Sequence, residues 1–312
     1  MMPLIETLNL TKRYGEMFAL NNLNMQIEEG DCFGFIGPNG AGKTTTIKIL
    51  ATLLRPTWGE ARIAGLSVGP VNARQVRGMI GYVPDYFGSY EDMVVREYLD
   101  FFCAAYQIDG PKRKQVVDNV LELTDLGYKS DVEVNSLSRG MQQRLSVARV
   151  LLHDPRVLLL DEPASGLDPR ARIEMRELLK ELHHMGKTIL ISSHILLELA
   201  DLCNKVGIIE RGELKFTGTM QDILDRARVG MVLNVAVAER IEEAANLISE
   251  FPGVTQAQVR DGHVRVVTEA GKLDPAQVAQ KLLAEGFRLT RLDEEKVNLE
   301  TAFMRLTEGL TQ

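Results

Sequence analysis

The chain is poor in the residues that usually announce a special environment. Its 312 residues include one tryptophan and three cysteines, and only 6% are aromatic. Cys32, Cys103 and Cys203 stand far apart in apolar segments. They have neither the close spacing of a metal site nor the even count of a disulfide framework, and read as buried, reduced thiols. No apolar run approaches the roughly 20 residues that a helix needs to cross a bilayer. The longest, such as Val157 to Leu160, are strand-sized. The N-terminus, Met1-Met2-Pro3-Leu4-Ile5-Glu6, has no basic stretch ahead of an apolar core, so no signal peptide is expected. Basic residues are not in excess: the net charge of −7 argues against a nucleic-acid partner. Low-complexity tracts and internal repeats are missing too. What remains is an ordinary globular composition, 45% hydrophobic and 25% charged, with length for two domains.

Against that plain background one segment stands out. Gly37, Pro38, Asn39, Gly40, Ala41, Gly42, Lys43 and Thr44 match G-x-x-x-x-G-K-[ST], a phosphate-binding loop. The apolar run Cys32 to Ile36 precedes it as a buried strand, and Thr44 to Leu54 follows with helical periodicity, closed by Pro56. Strand, glycine loop and helix in that order make an anion trap. Backbone N–H groups converge on phosphate oxygens, and the helix N-terminus adds partial positive charge. Lys43 would reach the β- and γ-phosphates, and the Thr44 hydroxyl would ligate Mg²⁺.

Along the rest of the chain, residues 4–30 alternate as antiparallel strands. Short strands are expected at 61–65, 79–83, 157–160 and 188–192, and 94–153 is mostly helical. Pro169 to Met185 and Ile195 to Leu202 read as helices, and 206–210 with 213–217 as a hairpin around Arg211-Gly212. Alternating strands and helices predict a largely parallel core sheet with helices on both faces. A boundary falls near 219–230. Beyond it come a strand (231–238), a helix (239–251), strands at 254–260 and 263–268 around Asp261-Gly262, a helix (274–285) and a strand (287–293). A last amphipathic helix is expected at about 298–307. The order β-α-β-β-α-β is that of a ferredoxin-like split unit.

Val157 to Leu160 runs into Asp161, Glu162 and Pro163. A buried strand places Asp161 at the C-terminal edge of the sheet, beside the phosphate loop. There Asp161 can hold Mg²⁺ through water, and Glu162 can polarise an attacking water. Alone this is a common acidic strand end; its force comes from the pairing with the loop.

With Ser136-Leu137-Ser138-Arg139-Gly140-Met141-Gln142-Gln143-Arg144-Leu145 added, the chain resembles the nucleotide-binding subunit of an ATP-binding cassette (ABC) transporter, of the drug-exporter-like kind. The resemblance covers residues 4 to 218, with six motifs in the family's order. It implies that Gly37 to Thr45 bind ATP, with Lys43 also catalytic. Leu137 to Met141 looks like the signature, with Ser138 and Gly140 facing a phosphate held by another subunit. Ser165 to Asp168 looks like the dimer-contact loop, His194 after Ser192-Ser193 like the switch histidine, and Tyr14 like the aromatic that stacks on adenine. Ser138 and Asp168 also read independently as helix N-caps, the latter followed by Pro169. His183 and His184 precede Gly186 at a helix end, where cations are favourable.

Three positions depart from the family's pattern: Arg139 and Met141 in the signature, and Asp85, where glutamine is usual. Asp85 is expected beside Thr44 and Asp161 at the metal, though an ionised aspartate only accepts hydrogen bonds. The expected architecture is α/β. It comprises a phosphate-loop NTPase cassette over 1–219, with a mostly parallel core sheet, an antiparallel β subdomain and a helical subdomain at about 86–153. A small C-terminal α+β ferredoxin-like accessory domain occupies 220–312. The resemblance implies an ATPase that uses ATP and Mg²⁺ and forms a homodimer around two ATP. It would drive a separate transmembrane permease, as an exporter, from the cytoplasmic face of the membrane. Tyr86 to Tyr106, with Tyr86, Phe87 and Tyr90, would meet the permease. No nucleic-acid partner is expected. The competing reading is a soluble, non-transport ABC ATPase acting on a macromolecule. Such proteins usually carry two cassettes or long coiled-coil insertions, which this chain lacks. An inactive regulatory cassette is disfavoured because Lys43, Asp161, Glu162 and His194 are all present.

Overall fold

The computed structural model describes residues 3–86, 88, 92–227, 231–260, 262–268 and 272–294. The chain divides into two compact units, Met1–Thr219 and Met220–Gln312.

The first unit opens with β1 (Ile5–Tyr14) and β2 (Met17–Ile27), joined at Gly15, whose φ of 58° permits the tight turn. β3 (Cys32–Ile36), buried throughout, leads into the glycine loop and α1 (Lys43–Leu50). β4 (Trp58–Ile63) and β5 (Leu66–Ser67) follow, then α2 (Ala73–Met79) and β6 (Ile80–Val83). Helices α3 (Val95–Ala105), α4 (Gly110–Leu123) and α5 (Arg139–Leu151) come next. The unit ends with β7 (Val157–Asp161), α6 (Pro169–His184), β8 (Thr188–Ser193), α7 (Leu196–Ala200), β9 (Lys205–Glu210) and β10 (Glu213–Gly218).

Two sheets result. The antiparallel one runs β2-β1-β4-β5, and the other runs β10-β9-β3-β8-β7-β6, parallel except for its β10 edge. Apolar runs such as Cys32–Ile36 and Val157–Leu160 are fully buried, as a parallel sheet with both faces covered requires. Phe33, Phe35, Leu159 and Leu190 of this sheet share a core with Ile47, Ile49 and Leu50 of α1 and with Leu10, Leu20 and Leu23 of the antiparallel sheet.

Register matters most for function. Ile36 pairs with Ser193, Asp161 with Ser192, and Val83 with Leu160. The C-terminal ends of β3, β6, β7 and β8 therefore reach one edge together. The segments that leave them are the phosphate loop, Asp85, Glu162 and His194.

The second unit starts with α8 (Met220–Ala227) and continues β11 (Met231–Val237), α9 (Ile241–Ser249), β12 (Val254–Arg260), β13 (His263–Thr268), α10 (Pro275–Ala284) and β14 (Leu289–Glu294). Its sheet is antiparallel in the order β12-β13-β11-β14, that of a split β-α-β unit. Leu233, Val235, Val264 and Val266 pack with Ala244, Ile248, Val278 and Leu282 of the two helices in a core of its own. The helix expected at 298–307 lies outside the described residues, as does Asp261.

Several boundaries differ from expectation. α1 stops at Leu50, not Leu54, because Thr52 takes a φ of 63° and the N–H groups of Leu53 and Leu54 both turn back to the Lys48 carbonyl. The strand expected from Ala61 begins at Trp58. Helix α7 covers only Leu196–Ala200 of the expected Ile195 to Leu202. Helices α2 and α8 were not expected: α2 buries a single side chain, Val76, which leaves no periodicity to read. α8 occupies the stretch taken as a boundary.

Candidate functional site

Gly37 and Gly42 are required where they stand. A Cβ on Gly37 would lie 2.2 Å from the Ile209 carbonyl oxygen. One on Gly42, whose φ is 111°, would lie 2.5 Å from that of Ala19. The loop is thus pressed against β9 and β2, and α1 begins with Gly42 as N-cap and no side-chain cap. The backbone of Gly212 ties the arrangement together, donating to the Ala41 carbonyl and accepting from the N–H of Asn21.

Lys43 is 5% exposed. Its Nζ donates to the carbonyls of Gly37 at 2.6 Å and Pro38 at 3.2 Å, and lies 3.3 Å from Glu162 Oε1. The other oxygen of Glu162, Oε2, is 2.7 Å from His194 Nδ1. A carboxylate only accepts, so Nδ1 carries the hydrogen of this bond. Glu162 itself has a φ of 51°, outside the usual range for a residue with a side chain, and its N–H donates to Ser192 Oγ at 2.9 Å. Backbone strain held in this way clusters at functional sites.

Asp161 is buried at the end of β7. Its Oδ1 accepts from the hydroxyls of Thr44 at 3.0 Å and Ser192 at 2.9 Å. Burial raises its pKa above the ordinary carboxylate value; the two hydroxyl hydrogen bonds pull it down, and the charges of Asp85 and Glu162 push it further up. A buried carboxylate and a hydroxyl side by side are hard oxygen donors of the kind Mg²⁺ takes, together with substrate phosphates.

A cleft of about 420 Å³ collects these groups: Tyr14, Asn39 to Thr45, Asp85, Glu162 and His194 line it. Tyr14, 47% exposed, ends β1 at its mouth, with Lys12 Nζ 5.2 Å from its ring centre. Three expected residues are elsewhere. Ser138 caps α5 by accepting from Met141 N–H at 3.3 Å, and Asp168 caps α6 by accepting from Arg170 and Ala171. Gly140 is buried against α6, where a Cβ would lie 2.6 Å from that of Ala171. Sequence reasoning missed Ser192, which bridges Asp161 to the Glu162 backbone, and Met17 in the cleft wall, and it gave Ser165 only as part of the dimer-contact loop, whereas here Ser165 also lines the cleft. The Ser192-Ser193 pair before His194 was the only available signal for the first.

A family model described as ABC transporter matches residues 20–165. The Nod factor export ATP-binding protein I of Burkholderia orbicola (strain AU 1054) is 35% identical over 312 residues, covering 97% of this chain and 96% of that protein. The chain belongs to the ABC transporter family of ATP-binding subunits. The bacitracin transport ATP-binding protein BcrA of Bacillus licheniformis is 34% identical, with 100% of this chain and 99% of that one covered. Among solved structures, a dimeric ATP-binding cassette in a post-hydrolysis state, bound to ADP and phosphate, superposes with a TM-score of 0.63 at 27% identity. It covers 69% of this chain and 98% of that one. An ATP-binding subunit of another ABC transporter gives 0.64 at 28% identity, covering 72% and 92%. The structural matches thus span about one cassette, while the two curated relatives run the length of the chain. This ABC subunit is an ATPase with the cassette fold. No helix among its described residues is long and apolar enough to cross a membrane.

Proposed function

We propose that two copies of this ABC subunit close around two ATP molecules and drive a separate membrane permease in export. The full-length match to a protein named for Nod factor export, and to one named for bacitracin transport, supports the transport reading over a soluble non-transport ATPase. It also favours residence at the cytoplasmic face of the membrane, held there by the permease. Residues 1–219 act as the ATPase domain and 220–312 as an accessory domain. Tyr86, 82% exposed just after β6, opens the permease-facing segment; Phe87 and Tyr90 lie outside the described residues.

One observation carries the catalytic reading: Glu162 is held between Lys43 and His194 at the lip of a cleft floored by the phosphate loop. Tyr14 stacks on adenine, and the N–H groups at the start of α1 take the phosphates with Lys43. A γ-phosphate competes with Glu162 Oε1 for the Lys43 ammonium. Its arrival therefore releases that oxygen to accept a proton from the attacking water. His194 keeps Glu162 oriented through Oε2. Thr44 and Asp161 would hold Mg²⁺, with Asp85 in the place of the usual glutamine; the ion supplies charge neutralisation at the β- and γ-phosphates. Ser138, Gly140 and Asp168 complete the site from the second copy.

The test is Glu162→Gln. It should bind ATP normally and lose turnover by roughly 10²–10⁴-fold, the usual worth of a general base. With ATP it should run as a dimer on size exclusion. A nucleotide-bound monomer under those conditions would contradict the paired-copy model.

A further inference from the structure

Arg139 departs from the family signature, and its position is costly for the helix it begins. It is the first residue of α5, whose first turn contains no acid, so its charge opposes the helix dipole. Helix stability does not account for it. Nor does an ion pair: the guanidinium has no hydrogen-bond or carboxylate partner among the described residues. It lies instead over the backbone of Gly166. A Cβ at Gly166 would be 2.4 Å from Arg139 Nη1, 2.6 Å from Cζ and 2.9 Å from Nη2. Three atoms of one plane crowd the same point, so the guanidinium face covers this peptide. Gly166 takes a φ of 66°, and the bare glycine is what leaves room for the arginine.

The covered loop is the one that leaves Glu162. It makes two successive turns, with the N–H of Ser165 donating to the Glu162 carbonyl at 3.0 Å and that of Leu167 to Ala164 at 3.3 Å. Ser165 lines the nucleotide cleft, and Asp168 ends the loop as the cap of α6. One residue beyond Arg139, Gly140 packs against Ala171 of α6. The start of α5 therefore rests on this loop through Arg139 and on the helix that follows it through Gly140, while Glu162, which leads into the loop, sits at a φ of 51°.

We propose that Arg139 is a positioning residue for ATP hydrolysis: its guanidinium, laid over the Gly166 peptide, fixes the 163–168 loop and through it Glu162 and Ser165. The proposal rests on Glu162 as the hydrolytic base. In the full-length chain, Arg139→Ala should lower kcat by roughly tenfold, in line with small misplacements of a reacting group. KM for ATP should stay unchanged, and the thermal midpoint should hold or rise as the opposed charge leaves the helix. Arg139→Lys keeps the charge without the plane and should not restore kcat. Gly166→Asn tolerates positive φ yet puts a Cβ where the guanidinium lies. It should reproduce the loss, and the double variant Arg139→Ala/Gly166→Asn should be no slower than either single one. Unchanged kcat in Arg139→Ala, full activity in Arg139→Lys, or losses that multiply in the double variant would each overturn the proposal. So would a raised KM with kcat kept, which would make Arg139 a nucleotide contact. Failure of the underlying reading shows separately, as undiminished turnover in Glu162→Gln.

Discussion

Helix α1 starts on a different backbone from α5 and α6: Gly42 takes a φ of 111°, whereas Ser138 and Asp168 are both extended. α1 starts at Gly42 with no side-chain cap, whereas Ser138 caps α5 and Asp168 caps α6. The first-turn N–H groups of α6 are committed to Asp168 Oδ1, at 2.9 Å from Arg170 and 3.0 Å from Ala171. Those at the start of α1 face a cleft. A cap costs nothing in sequence complexity and is worth about 1 kcal/mol, so a helix that forgoes it while keeping two sterically enforced glycines is built for an external anion. Asp168 and Ser138, in contrast, stabilise the chain they belong to whatever else they meet.

The sharpest way to break this comparison is at α1. Lys43→Ala removes the ammonium that the loop carbonyls hold in place. Loss of one such charge-stabilising donor is worth on the order of 10²–10³ in rate, so hydrolysis measured by phosphate release should fall at least that far. Near-normal turnover would sink the phosphate-loop assignment. A smaller effect is expected at α6. Asp168→Ala should lower unfolding free energy by about 1 kcal/mol, read by denaturant titration, while ATP binding to a single chain stays intact. Weakened binding would show that the two helix starts are not as separate as their caps imply.

The other end of α5 gives a pH readout remote from the nucleotide. His153 follows Leu152 there, its Nε2 donating to the Ile80 carbonyl at 2.9 Å and its ring stacking on Tyr106 with ring centres 4.2 Å apart. Burial lowers its pKa, against the raising effects of that carbonyl and Asp154, with Lys187 lowering it further. The unfolded chain therefore takes up a proton near pH 6.5 that the folded chain refuses. The stability contribution is full above that pH and falls as pH drops toward the lower folded value. His153→Gln should flatten this part of the thermal midpoint's pH profile, and an unchanged profile would mean that other groups set it.

Much of this was legible in the sequence because the informative residues are local. A glycine loop between a buried strand and a helix, and two acids at a strand end, carry their geometry in their spacing. The antiparallel start and the β-α-β-β-α-β order were readable from alternation. What was not readable is tertiary. Ser192 acquires its role only because β8 lies beside β7 in a register that sets it opposite Asp161. Gly140 reads as a phosphate contact in the motif, yet here it is first the place where α5 approaches Ala171. Helix α2 was invisible for want of a periodic apolar face, since it buries only Val76.

Asp85 tests the finest part of the comparison, because it lines the α1 cleft from the end of β6 and not from the loop itself. It leaves β6 beside the end of β7, and its charge is felt at Asp161 and Tyr82, whose pKa rises to about 12, chiefly through burial and then through Asp161 and Asp85. If Asp85 shares in holding Mg²⁺, Asp85→Asn keeps the shape and removes one negative charge. ATPase activity should then fall at limiting Mg²⁺ and partly recover at high Mg²⁺, and Asp85→Gln should keep substantial activity. If Asp85 only turns the chain after Pro84, asparagine serves that turn equally well. Rate and Mg²⁺ dependence would then both match the unsubstituted protein, and the cleft's chemistry would reduce to Lys43, Thr44, Asp161, Glu162 and His194.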